Sequence, residues 1–98
     1  MGAKVTELLG DADPGEAGRV YLILAEVSRE LGDEVEAEAR YLLSVERLER
    51  QPPARDLVDA YAKLADLMEA KGRSEDAYAY MKKAIGVQQQ LPVRALKV

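Results

Sequence analysis

The chain reads as an all-α protein built from antiparallel helix-turn-helix repeats. Three observations predict this. Ala, Leu, Glu, Arg and Lys dominate the 98 residues, and all are strong helix formers. Apolar residues recur at steps of three and four, not two. Glycine and proline fall between the apolar segments and act as punctuation.

The first long helix is expected to open at Asp13-Pro14-Gly15-Glu16. Asp13 can cap, Pro14 suits the first helical position, and Glu16 can reach back as in a capping box. The helix runs to Leu31 and stops at Gly32, which tolerates the left-handed conformation of a helix end. VYLILAEV, residues 20–27, is rich in β-branched and aromatic residues and could suggest a strand. Tyr21, Leu24, Ala25 and Ser28 keep the helical step, so the segment is read as helix.

The second helix is expected to begin at once, with Asp33 as cap and Glu36 three residues on. Its apolar stripe is Ala37, Tyr41, Ser44, Val45 and Leu48. Glu36/Arg40 and Glu46/Arg50 lie four apart and add minor support. Gln51-Pro52-Pro53 ends it, because a residue before proline resists the helical region. The third helix is expected from near Pro53 to Lys71, with Leu57, Tyr61, Leu64, Ala65 and Met68 as its stripe and Gly72 as its stop. Ser74 is the expected cap of the fourth, with Glu75 and Asp76 at its favoured acidic end. That helix carries Ala77, Met81, Ala84 and Ile85 and fades near Gln88-Gln89-Gln90.

ELGDEVEA (residues 30–37) and AKGRSEDA (residues 70–77) share a glycine and an alanine five residues later. Superposed at an offset of 40, Tyr21 meets Tyr61, Leu24 meets Leu64, Ala25 meets Ala65, Ser28 meets Met68 and Gly32 meets Gly72. Ala37 meets Ala77, Tyr41 meets Met81, Ser44 meets Ala84 and Val45 meets Ile85, so seven of nine pairs are identical or conservative. Small residues at 25/65 and 37/77 let two antiparallel helices approach, and large ones at 21/61, 24/64 and 41/81 are expected to fill the space around them.

These residues resemble the tetratricopeptide repeat, a helix-turn-helix unit with an aromatic, a leucine followed by a small residue, a turn glycine and an alanine at fixed offsets. YAKLADLMEAKGRSEDAYAYMKKAI matches almost every signature position, while YLILAEVSRELGDEVEAEARYLLSV departs at Ser28 and Ser44. The resemblance covers roughly residues 14 to 90. It implies a right-handed α-solenoid fragment within one domain spanning residues 1–98, with repeats at residues 14–51 and 53–90 and a tail at residues 91–98. The usual period is about 34 residues. The interval of 40 here adds residues around Arg47 to Asp56. Long-helix copies of this kind look like those of kinesin light chains, spindle-orientation adaptors and peptide-sensing bacterial regulators. Residues 1–12 read either as the end of a preceding repeat, which would make the chain a fragment of a longer array, or as a flexible start.

By the same resemblance, the first helix of each repeat lines a concave groove. The groove positions are then Arg19, Leu22, Glu26 and Arg29 in the first copy and Asp59, Ala62, Asp66 and Glu69 in the second. The second set is acidic, so the expected partner is a basic or amphipathic protein or peptide. The carboxylate-clamp form of such a groove uses lysine, asparagine and arginine. This chain has no asparagine, and Leu22 and Glu26 stand at matching places, so chaperone tails are not expected partners. A second apolar face on the first helix, Val20, Ile23, Val27 and Leu31, predicts self-association into a homo-oligomer, because a lone amphipathic helix needs only one stripe.

The charge balance argues against other classes. Net charge is −4 and acids alternate with bases, as in Glu46-Arg47-Leu48-Glu49-Arg50, so no basic face for nucleic acid is expected. With no Cys and no His, neither a disulfide framework, an ordinary structural zinc site nor a Ser-His or Cys-His pair can form, and no metal or cofactor is expected. No apolar run approaches the ~20 residues of a membrane span. The start lacks the pattern of a signal peptide, which suggests a cytoplasmic setting. The carboxylates sit at helix positions with counter-charges nearby, and catalysis is not expected. Three functions remain in view: a protein- or peptide-interaction module, a regulatory or dimerisation segment of a bacterial transcription regulator, and a structural or engineered scaffold without a native ligand.

Overall fold

A computed structural model of the chain describes residues 14–91. Among them four helices follow one another: α1 Pro14–Glu30, α2 Glu34–Leu48, α3 Arg55–Ala70 and α4 Ser74–Gln90. The described part is all-α. The chain divides into two compact units, Met1–Gln51 and Pro52–Val98, and each holds one helical hairpin: α1 packs on α2, and α3 on α4. The expected cap at Asp13 and the readings of residues 1–12 and 92–98 lie outside the described residues.

The two hairpin turns are built alike. Gly32 has φ 86° and Gly72 has φ 78°, the left-handed region that glycine enters without cost from a Cβ. The Gly32 N–H donates to the Arg29 carbonyl at 3.0 Å and the Asp33 N–H to Ser28 at 2.9 Å. Forty residues on, Gly72 donates to Glu69 at 3.0 Å and Arg73 to Met68 at 2.8 Å. Both are Schellman turns, in which the two residues after the helix satisfy its last free carbonyls.

The starts of the second helices differ. The Asp33 carboxylate accepts from the Glu36 N–H at 3.1 Å, so Asp33 caps α2 as expected. The reciprocal half of a capping box does not form. The Asp33 N–H is already committed to Ser28, and the Glu36 carboxylate accepts from Arg40 at 2.7 Å instead. In the second hairpin the cap position belongs to Arg73, not to Ser74, which is the first helical residue. The turn at Gly72 leaves a single residue before the helix, and that register decides the matter. Arg73 supplies no side-chain cap. Its guanidinium bonds Asp76, three residues on, at 2.9 Å.

The expected stripe of α2 is its buried face: Ala37, Tyr41, Ser44, Val45 and Leu48. Opposite it, α1 buries Ala17, Tyr21, Ala25 and Ser28. The stripe of α3, Leu57, Tyr61, Leu64, Ala65 and Met68, is buried too, and Val58, Ala60 and Leu67 join it. Residues 20–27 are helical throughout.

The fourth helix departs from expectation. Ala77 and Ala84 are buried, but Met81 is 42% and Ile85 52% exposed. Met81 therefore does not fill the interior as Tyr41 does at 1% exposure. At 3.6 residues per turn, Met81 and Ile85 lie about 40° and 80° round the helix from Ala77, on its flank. Tyr80 lies on the other side of Ala77, and its ring stacks on Tyr61 with centroids 6.3 Å apart. The hairpin closes through two alanines and this tyrosine pair.

Candidate interaction site

Within the second hairpin an open cleft of about 320 Å³ lies between α3 and α4, lined by Ala65, Asp66, Glu69, Ser74, Ala77, Tyr78 and Met81. Its origin is local. Ala65 and Ala77, 2% and 5% exposed, are the small contacts that let the helices approach, and they leave a low floor. Asp66 and Glu69 rise from α3 on one side, and Tyr78 and Met81 from α4 on the other. Asp66 and Glu69 are three apart and share a face of their helix, as do Tyr78 and Met81. Tyr78 is 67% exposed, and the Lys82 ammonium stands 5.5 Å from its ring centre. The cleft thus pairs a carboxylate wall with an apolar wall. Ser74, the first residue of α4, adds a hydroxyl to the lining.

Of the eight expected groove residues, Asp66 and Glu69 are the two that line this cleft. Asp59 and Ala62 lie on α3 at the same steps of three and four, both half-buried. In α1, Arg19 is exposed and Glu26 and Arg29 are half-buried. Leu22 is different: at 8% exposure it serves the packed interior and presents no open surface. Tyr78 was not among the expected residues. A signal for it exists in the offset of 40, since the second copy has Tyr78 where the first has Glu38.

The second apolar face of α1 lies open. Ile23 is 60%, Val27 48% and Leu31 80% exposed, and Val20 is half-buried. Val35, in the first turn of α2, is 77% exposed.

Among the described residues no group of three or more His, Cys, Asp or Glu is placed to hold a metal ion. None of the described helices is long and apolar enough to cross a membrane. Comparison with protein-family models, with curated proteins and with solved structures gives no match to this chain.

Proposed function

We propose that the chain is a protein- or peptide-interaction module, built from two extended hairpins of the tetratricopeptide type and set in the cytoplasm. The repetition of one turn geometry at an interval of 40 residues supports the repeat reading, because both copies end their first helix with the same pair of backbone bonds. In such arrays each hairpin contacts its neighbours and successive copies wind into a right-handed solenoid with extended binding surfaces. One observation carries the functional reading: the open cleft of the second hairpin, with Asp66 and Glu69 facing Tyr78 and Met81. Exposed aromatic and thioether side chains beside a charged wall are the kind of surface that protein partners cover.

The test is comparative recovery of partners from an extract of the source cells, using the chain and the variant Asp66→Arg/Glu69→Arg. The same bands should be lost with the variant. Unchanged recovery would sink the groove reading.

A second reading, a regulatory or dimerisation segment, is favoured by the exposed stripe Ile23, Val27 and Leu31 on α1. It predicts association of the chain with itself through that stripe, with no dependence on Asp66 and Glu69.

A further inference from the structure

We infer that the cleft of the second hairpin receives one face of a basic amphipathic α-helix belonging to another protein. This rests on the reading of the chain as an interaction module and adds the chemistry of the partner.

Three observations point there. The apolar wall is longer than the cleft: Tyr78, Met81 and Ile85 follow at steps of three and four along α4 and are 67%, 42% and 52% exposed. That is about two helical turns. A helix laid alongside this stripe would stay in contact with it over both turns, as in helix-in-groove recognition. The alanine floor leaves room for the ridge of a third helix between α3 and α4. The wall facing the apolar stripe carries Asp66 and Glu69, three apart. A partner helix with Lys or Arg three or four apart beside its apolar face would meet them with opposite charge, which sets partner choice and orientation.

The corresponding flank of the first hairpin is buried. Tyr41 and Val45, which correspond to Met81 and Ile85, are 1% and 7% exposed. The chain's own exposed helix is a poor occupant. On α1 the stripe Ile23, Val27 and Leu31 is bordered by Glu16, Glu26 and Glu30 and by Arg19. Those acids would oppose Asp66 and Glu69.

The probe is a synthetic amphipathic peptide of about four helical turns, with Leu at helical spacing and Arg flanking the Leu face. Its counterpart has Glu in place of every Arg. Binding of each labelled peptide to the full chain is measured by fluorescence anisotropy at physiological salt. The Arg peptide should bind at least about tenfold more tightly than the Glu peptide, a difference of ~1.4 kcal/mol. Asp66→Lys/Glu69→Lys and Met81→Glu should each weaken the Arg peptide by about tenfold or more. Glu34→Lys/Glu49→Lys places the same charge change on exposed positions at the two ends of α2, the first helical residue and the C-cap, and it should weaken binding by less than about threefold. Equal binding of the two peptides, or equal weakening by the two Lys pairs, overturns the proposal. So does a tenfold gain in affinity with Arg94→Glu/Lys97→Glu, because the cleft would then hold the chain's own following segment. Sedimentation showing self-association that Met81→Glu abolishes also overturns it, in favour of a second copy. If the peptides fail while Asp66→Arg/Glu69→Arg still loses cellular partners, the interaction module stands and only the partner's chemistry is wrong.

Discussion

The Ser44 hydroxyl donates a 2.7 Å hydrogen bond to the Gly18 carbonyl, 26 residues earlier, and so ties the end of α2 to the start of α1. Ser44 is 0% exposed. A serine inside a helix commonly bonds its own preceding turn. Here it crosses to the neighbouring helix, which needs a close approach, and Gly18 provides it. Ser44→Ala keeps the packing and removes one buried bond. The Gly18 carbonyl has a second lone pair for its own helix, so the cost should be modest, about 1 kcal/mol. Ser44→Leu has no room and should cost about 1–3 kcal/mol. Urea titrations followed by circular dichroism check both. An Ala variant as stable as the parent would mean the bond contributes nothing.

Two helix-interior glycines should respond to alanine with opposite sign. A Cβ on Gly18 would sit 2.5 Å from Leu48 Cγ and 3.3 Å from the Ser44 carbonyl oxygen, and Leu48 is itself buried. A Cβ on Gly86 meets nothing within 4 Å. Gly86→Ala should therefore gain the helix-propensity difference, up to about 1 kcal/mol. At Gly18 that gain is outweighed by overpacking, and a net loss of about 1 kcal/mol or more is expected. Thermal melts of the two variants settle the signs. A Gly18→Ala melt above that of the parent would show that Leu48 moves aside freely.

Much of this architecture is legible in the sequence because helical spacing names a face directly. Ala37, Tyr41, Ser44, Val45 and Leu48 are five stripe residues and all five are buried. Spacing does not say what covers a face. The same reasoning expected Met81 inside, where the structure leaves it 42% exposed. Val58, Ala60 and Leu67 are buried as well, beyond what a one-stripe template assigns once one face of α3 is filled. Residue type favours Ser74 as a cap, whereas the offset of 40 pairs Asp33 with Arg73. Of the cleft, Asp66 and Glu69 were readable from their position on the first helix of the repeat. Tyr78 is marked only by its departure from Glu38 at the offset of 40, a difference between the copies that a search for matching positions passes over.

The turn glycines isolate a pure backbone effect. Neither Gly32 nor Gly72 would place a Cβ within 4 Å of another group, so φ alone decides. Gly32→Ala and Gly72→Ala should each cost about 1–2 kcal/mol. Asn, which visits the left-handed region more readily, should cost less at both sites. Chemical denaturation of the four single variants provides the measure. Alanine tolerated at either site without loss would contradict the positive φ there.

The caps predict an asymmetry between the hairpins. Asp33→Ala removes the acceptor of the Glu36 N–H and should cost about 1 kcal/mol. Ser74→Ala changes a first helical residue rather than a cap, and should fall within about 0.5 kcal/mol of the parent. Amide exchange reports on this locally, with faster exchange at Glu36 in the Asp33 variant. Equal costs for the two substitutions would place Ser74 at the cap after all.

The open face of α1 sets an expectation for self-association. Ile23, Val27, Leu31 and Val35 are each about half exposed or more. Covering what remains of one such side chain is worth about 1 kcal/mol, so four per copy in a symmetric pair give on the order of 8 kcal/mol gross. Loss of translational and rotational freedom offsets about 4 kcal/mol or more of that. The association expected is therefore weak and concentration-dependent. In sedimentation equilibrium the average mass should rise at high micromolar protein. Val27→Glu/Leu31→Glu should keep the chain monomeric with unchanged helicity, because both positions are exposed in the single chain. Asp66→Arg/Glu69→Arg should leave the association intact. A parent chain that stays a clean monomer across that range would remove the case for a self-association surface on α1.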